Sequence, residues 1–82
     1  MINLNELRKK DFTSLIETPI RNIGGKRCTL CMFHDERTPS FYIYPDNTFY
    51  CFGCQARGNA IDFVMRKFSY TFTHACELLN NL

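Results

Sequence analysis

Cysteine and histidine residues stand in pairs with two residues between the members, and this spacing restricts the fold more than any other feature of the chain. One pair is Cys51-Phe52-Gly53-Cys54, and another is Cys31-x-x-His34. Two such side chains on a tight loop can bind one ion, and a second pair from a distant segment completes the tetrahedron of thiolate and imidazole ligands that suits Zn²⁺. Gly53 leaves this loop without an obstructing side chain. The pattern predicts one structural zinc ion that links two loops.

Cys28 provides an alternative ligand, because Cys28-x-x-Cys31 also has zinc-ligand spacing. Spacing alone does not choose between the two sets. Residues 26–30 resemble a strand in which alternation places Cys28 and Leu30 on one face, so we interpret Cys28 as a small core residue. Cys31 and His34 then lie on the loop after the strand. This favours the set with His34 and leaves the all-cysteine set open.

Chain length and cysteine number favour a metal over disulfides. The first ten residues have no apolar signal core, and no apolar run is long enough to span a membrane, so we predict a cytoplasmic protein with reduced thiols and no membrane partner. Five cysteines would also leave one thiol over in a disulfide scheme. We interpret Cys76, on an apolar helical stripe, as a core residue. A chain this short forms one domain, residues 1–82, of a size that often needs a metal.

Turn residues and apolar periodicity predict a small α+β fold, an antiparallel sheet flanked by short helices. Gly24-Gly25 and Pro45-Asp46-Asn47 each separate two extended runs, which indicates two hairpins. Asn59 is a predicted helix cap, with Asp62 in the first turn of that helix. In chain order we predict a helix capped by Asn3 or Asn5 and ending near Lys10, a helical turn from Thr13, strands at 19–23, 26–30, 40–44 and 48–52, and helices that begin after Asn59 and Thr71.

Several segments resemble the zinc-binding domain of bacterial-type (DnaG-like) DNA primases. Residues 31–41, Cys-Met-Phe-His-Asp-Glu-Arg-Thr-Pro-Ser-Phe, are similar to a motif in which a Cys-Pro-Phe-His turn precedes an acidic-basic pair and Thr-Pro-Ser-Phe. Residues 50–54 resemble the second half of that zinc site, and residues 58–64 and 70–75 resemble the helices after it. The resemblance implies a zinc-ribbon-type sheet stabilised by one structural Zn²⁺, with Cys31, His34, Cys51 and Cys54 as ligands. Met32 departs from the usual proline, and Cys28 is an additional thiol.

The resemblance also implies a function. In that family the zinc domain binds single-stranded template and helps to select where a primer begins, while a different domain polymerises. We therefore expect a single-stranded DNA template recognition module of a DNA primase, acting in replication with a polymerase domain or subunit and with the replicative helicase as a further partner. The alternative is a zinc-ribbon interaction module that docks a polymerase or helicase with little DNA contact.

The acidic residues do not suggest catalysis in this chain. Phosphoryl transfer on nucleotides needs clustered carboxylates that hold Mg²⁺. Asp35 and Glu36 are the only adjacent acids in the sequence, and they lie beside Arg37 on the predicted zinc loop. We expect the chain to contain no catalytic residues and the polymerase activity to reside elsewhere.

Aromatic and basic residues suggest where a nucleic acid would bind. Single-strand binders combine a basic groove with aromatic rings on which bases stack. In the second hairpin, alternation places Phe41, Ile43 and Phe49 on a buried face and three tyrosines on the opposite face. Residues 21–67 carry seven basic and four acidic side chains. The tyrosines could instead only cover a thin core, or form the docking surface of the alternative function. The predicted nucleic-acid contacts are Tyr42, Tyr44 and Tyr50 for stacking and Lys26, Arg37 and Arg57 for phosphates.

Overall fold

The computed structural model describes residues 3–35 and 37–82, and its elements follow the predicted order. Each predicted helix and strand is present, in most cases one or two residues shorter than expected. The elements are α1 (Leu4–Arg8), a 3₁₀ turn (Thr13–Leu15), β1 (Arg21–Ile23), β2 (Lys26–Thr29), β3 (Phe41–Ile43), β4 (Phe49–Cys51), β5 (Arg57–Gly58), α2 (Ala60–Phe68) and α3 (Phe72–Asn80).

The strands form one antiparallel sheet in the order β1-β2-β3-β4-β5, so each strand pairs with its neighbour in the chain. Gly24 and Gly25 both have positive φ angles, 55° and 81°, in the β1–β2 turn, as a tight hairpin requires. Strand β5 was not predicted from the sequence. Its two residues are too few to show a periodicity, and only their pairing with Phe49 and Tyr50 of β4 defines them as a strand.

The inner face of the sheet and the helices enclose a core rich in phenylalanine. The rings of Phe41 and Phe49 stack with centroids 5.1 Å apart, and Phe12 stacks on Phe63 of α2 at 4.3 Å. All four side chains are almost completely buried, as is Ile43. The predicted burial of Phe41, Ile43 and Phe49 is therefore confirmed. Stacked and edge-to-face pairs of this kind add to the stabilisation that comes from area burial alone.

The helices begin at polar caps. The Asn3 side chain accepts hydrogen bonds from the first turn of α1, and Thr71 caps α3. At α2, Asn59 and Asp62 form a capping box: Asn59 Oδ1 accepts from the Asp62 N–H, and the Asp62 carboxylate accepts from the Asn59 N–H at 2.9 Å. In the described ranges every helix is too short or too polar to cross a bilayer.

Candidate metal centre and nucleic-acid interface

Four ligand-type side chains converge beside one end of the sheet. Cys31 and His34 come from the loop after β2, Cys51 ends β4, and Cys54 lies in the turn that follows. One ligand atom from each residue lies within 4.8 Å of all the others. The Cys31 and Cys54 sulfurs are 3.8 Å apart. Zn–S bonds of ~2.3 Å in a tetrahedron place two sulfurs about 3.8 Å apart, so the donor set fits Zn²⁺.

Hydrogen bonds and burial set the acidity of these thiols. Burial raises the pKa of Cys31 to about 12, and the sulfurs of Cys51 and Cys54 act in the same direction. Burial also acts upward at Cys51, but the Ser40 hydroxyl, 3.3 Å from its sulfur, and backbone N–H groups of the loop outweigh it and lower the pKa of Cys51. Neighbouring thiolates repel each other, so these clustered thiols do not all ionise unless a cation lies among them. A divalent ion supplies that charge, because coordinating thiols bind it as thiolates.

Gly53 is required by the packing of the site. A Cβ atom at this position would lie 2.6 Å from Nε2 of His34 and 2.9 Å from the Ser40 hydroxyl oxygen. The imidazole therefore occupies the space that a side chain would fill. The expectation that glycine keeps this turn free of an obstructing side chain agrees with this contact.

Cys28 lies outside the metal cluster. It is 3% exposed, so the predicted burial of Cys28 as a small core residue is confirmed, although it lies outside the main cluster of packed side chains. Cys28 pairs across the strands with Tyr42, so it lies on the outer face of the sheet, away from the phenylalanine core. The Cys28 thiol raises the pKa of the neighbouring Tyr42 hydroxyl. Alternation places residues of one strand on two faces, but it does not say which face becomes the core.

The outer face carries one row of side chains that runs across all five strands. Successive cross-strand pairs join Arg21 to Cys28, Cys28 to Tyr42, Tyr42 to Tyr50, and Tyr50 to Arg57. Directly paired residues point to the same side of a sheet. Two tyrosines thus occupy the middle of the row, and an arginine stands at each end. We call this set the outer row.

One aromatic residue of this face, Phe52, was not among the predicted contacts. Its ring forms edge-on contacts with Tyr42 and Tyr50, at centroid distances of 5.4 and 4.8 Å, yet 63% of the residue is exposed. An open groove of about 730 Å³ lies beside it, lined in part by Tyr44 and Arg57. Alternation already placed Phe52 with Tyr50, so the signal was present in the sequence.

The predicted basic residues lie around this aromatic surface. Lys26 Nζ is 5.8 Å from the centroid of the Tyr44 ring, within the range of a cation–π contact. Arg57 ends the outer row, and Arg37 follows the first zinc-ligand loop near its other end. All three side chains are exposed. The predicted tyrosines Tyr42, Tyr44 and Tyr50 are half-buried.

Comparison with known proteins places the chain in a family. A family model described as "CHC2 zinc finger", for the DnaG zinc ribbon, matches residues 3–82. The DNA primase of Legionella pneumophila is 43% identical over 76 residues, and that of Streptomyces coelicolor is 48% identical over 62 residues. These alignments cover 89% and 73% of this chain but only 13% and 10% of the two primases. The chain thus spans a small part of the length of these relatives.

A solved structure gives the same result. The chain matches the Aquifex aeolicus primase structure described as its zinc-binding and RNA polymerase domains, with a TM-score of 0.80 and 30% identity. The match covers 99% of this chain and 21% of the other. Together with the clustered cysteine and histidine ligands, it supports one structural zinc ion. The chain therefore belongs to the CHC2 zinc-finger family, the zinc-binding domain of DnaG-type DNA primases.

Proposed function

We propose that this chain recognises single-stranded DNA template for a primase, in the initiation of primer synthesis. The observation that carries the proposal is the outer row, in which Tyr42 and Tyr50 lie side by side between Arg21 and Arg57. Rings that accept stacked bases, next to cations that accept phosphates, are the two elements of a single-strand binding surface.

Zinc has a structural role in this proposal. The proposed ligands are Cys31, His34, Cys51 and Cys54, and four protein ligands leave no open position for a reacting water. The ion links the loop after β2 to the end of β4, on either side of β3. It thereby fixes the strands that carry Tyr42 and Tyr50.

The contacts follow from exposure and charge. Phe52 presents the most exposed ring of the face, and it extends the surface formed by Tyr42 and Tyr50. Tyr44 and Lys26 continue this surface toward the β3–β4 turn. Bases stack on the rings, and the guanidinium groups of Arg37 and Arg57 contact phosphates, with Lys26 as a third cation.

The proposed partners follow from the relatives. The Aquifex structure is described as combining zinc-binding and RNA polymerase domains. We assign polymerisation to such a domain or to a separate subunit, with the replicative helicase as a further partner. Action as a single domain of residues 1–82, and a cytoplasmic location, remain predictions.

Titration of a fluorescently labelled oligonucleotide at two salt concentrations tests the proposal. We expect binding that weakens with salt, because each phosphate contact to a single strand contributes about −0.7 to the slope of log K against log salt. Phe52→Ala and Tyr50→Ala should each weaken binding by ~1–3 kcal/mol. Tyr70→Ala, an exposed aromatic outside the sheet, is the matched control and should change nothing. Absent or salt-independent binding would contradict the proposal.

The second candidate function is docking of a polymerase or helicase with little DNA contact. The observation in its favour is the exposed Phe52 ring beside the open groove, because apolar surface of this kind also suits a protein partner. Here the same aromatic face contacts protein. Co-precipitation of the polymerase portion that survives joint substitution of Tyr42, Tyr44 and Tyr50 by alanine would rule out docking through this face, and absence of any co-precipitation with the wild type would rule out the candidate.

A further inference from the structure

A small pocket lies at the β1 end of the outer row. It has a volume of about 240 Å³ and lies on the outer face, because Arg21 and Cys28 in its wall form a cross-strand pair. Arg37, from the segment after the zinc-ligand loop, also lines it. The pocket thus brings together two arginines that are far apart in the sequence. Its lining residues are Pro19, Arg21, Cys28, Leu30, Arg37 and Pro39.

The charges in this pocket are not balanced within the part of the chain that the structure describes. Among residues 3–35 and 37–82, the pocket lining contains no carboxylate, and no ion pair involves Arg21 or Arg37. Arg27 on the opposite face behaves differently, because its guanidinium contacts Asp11 at 3.1 Å and also donates to Asn47. The Arg27 charge therefore has protein partners, whereas Arg21 and Arg37 line one pocket without an ion-pair partner in the described ranges.

The chemistry of the walls suits an oxyanion. Proline and leucine side chains line much of the remaining surface, and walls of low polarity strengthen the field of nearby charges. Arginine is the side chain that best matches phosphate, because its planar fork donates two parallel hydrogen bonds. Cys28 lines the pocket and is the cross-strand neighbour of Tyr42, so the pocket adjoins the aromatic part of the outer row.

We propose that this pocket holds one phosphate of the single-stranded template, shared between Arg21 and Arg37. The proposal rests on the proposed function and adds to it a fixed point for the backbone at the β1 end. The bases that follow then lie over Tyr42, Tyr50 and Phe52, and the strand leaves past Arg57. Arg21 thereby acquires a binding role that the sequence analysis did not assign.

Salt-dependent titration of a labelled oligonucleotide tests the shared pocket, with Arg21→Gln, Arg37→Gln and the double variant in the zinc-loaded protein. The double variant should bind about tenfold more weakly, because hydrogen bonds to charged groups are lost. Its slope of log K against log salt should fall by about 0.7, the value for one phosphate on a single strand. Zinc content and melting temperature should match the wild type. Arg8→Gln, the same charge change on α1, should leave affinity and slope unaltered.

Each other outcome overturns a defined part of the proposal. A slope reduction near 1.4 would mean two phosphates, and therefore independent contacts in place of a shared pocket. Unchanged binding in the double variant, with weaker binding in Arg57→Gln and Tyr50→Ala, would refute the pocket and leave the proposed function standing. If Arg8→Gln weakened oligonucleotide binding equally, net charge alone would explain the result and the pocket would be refuted. Failure of the wild type to bind any oligonucleotide would refute both proposals.

Discussion

The two faces of the sheet are both aromatic, but they differ in what their side chains contact. On the inner face, Phe41 and Phe49 are almost fully enclosed. Arg27 beside them has protein partners in Asp11 and Asn47. Almost every group of this face is used by the fold itself.

On the outer face the same strands present half-buried tyrosines and the exposed Phe52. The arginines at its β1 end, Arg21 and Arg37, have no carboxylate partner among residues 3–35 and 37–82. Aromatic content therefore does not distinguish stability from binding. What distinguishes them is the exposure of the rings and whether the neighbouring charges have partners within the protein. A face whose rings are buried and whose charges are paired gains nothing from binding a partner.

The prediction with the largest expected effect removes a proposed zinc ligand at the edge of the inner face. Cys51→Ser should lose both zinc and the folded state, because structural zinc contributes an apparent ~10–16 kcal/mol, comparable to the whole stability of a domain. Zinc per chain by atomic absorption, together with circular dichroism, measures both losses. Cys28→Ala on the outer face is the control and should keep one equivalent of zinc. Loss of zinc in Cys28→Ala, together with retention of zinc in His34→Ala, would show that the proposed ligand set is wrong.

A second test compares two phenylalanines on opposite faces. Phe49→Ala should destabilise the zinc-loaded protein by about 3–5 kcal/mol, since it leaves a cavity among packed rings. Phe52→Ala should change stability by only about 0.5 kcal/mol, as at other exposed positions. Urea denaturation of both variants measures the difference. Equal destabilisation would show that the outer face is also structural.

Gly53→Ala tests how closely the zinc loop packs against His34. The new methyl group would lie 2.6 Å from His34 Nε2, so the imidazole must shift, at a cost of about 1–3 kcal/mol of zinc affinity. Competition with a chromogenic chelator measures the zinc affinity. Gly24→Ala is the control: its positive φ makes the substitution cost stability, but nothing lies within 4 Å of the new Cβ, so zinc affinity should not change. Wild-type zinc affinity in Gly53→Ala would show that the loop accommodates a side chain.

The smallest effect concerns the charge pair of the inner face. Partial burial acts to raise the pKa of Asp11, but hydrogen bonds from Thr13 and the charge of Arg27 outweigh it and lower the pKa. Its contribution to stability is therefore complete above the ordinary carboxyl pKa and disappears as the pH falls through the lowered value. Asp11→Asn should cost about 0.2–1 kcal/mol at neutral pH.

Salt provides the control for this pair. Urea denaturation of wild type and Asp11→Asn in 1 M salt should show a smaller difference than at low ionic strength, because exposed charges are screened. A difference independent of salt would mean that Asp11 acts through packing or its hydrogen bonds to Thr13, not through its charge.

Local signals explain most of what could be predicted about the fold. Paired glycines, the Asn59–Asp62 cap and the period of two in β3 and β4 each act over a few residues, and each prediction was confirmed. The clustering of Cys31, His34, Cys51 and Cys54 in the structure also agrees with the spacing of the two pairs. Two-residue β5 had no such signal, since it depends on a partner strand.

The amino-acid sequence alone determined the ligand-type pairs, the hairpins, and the division of β3 and β4 into buried phenylalanines and opposing tyrosines. The tertiary structure decided that Cys28 lies on the outer face, that β5 brings Arg57 beside Tyr50, and that Arg21 and Arg37 share a pocket. The physical reason is that alternation is a property of one strand, whereas a surface is made by the pairing of several strands. That pairing depends on hydrogen bonds between segments far apart in the chain.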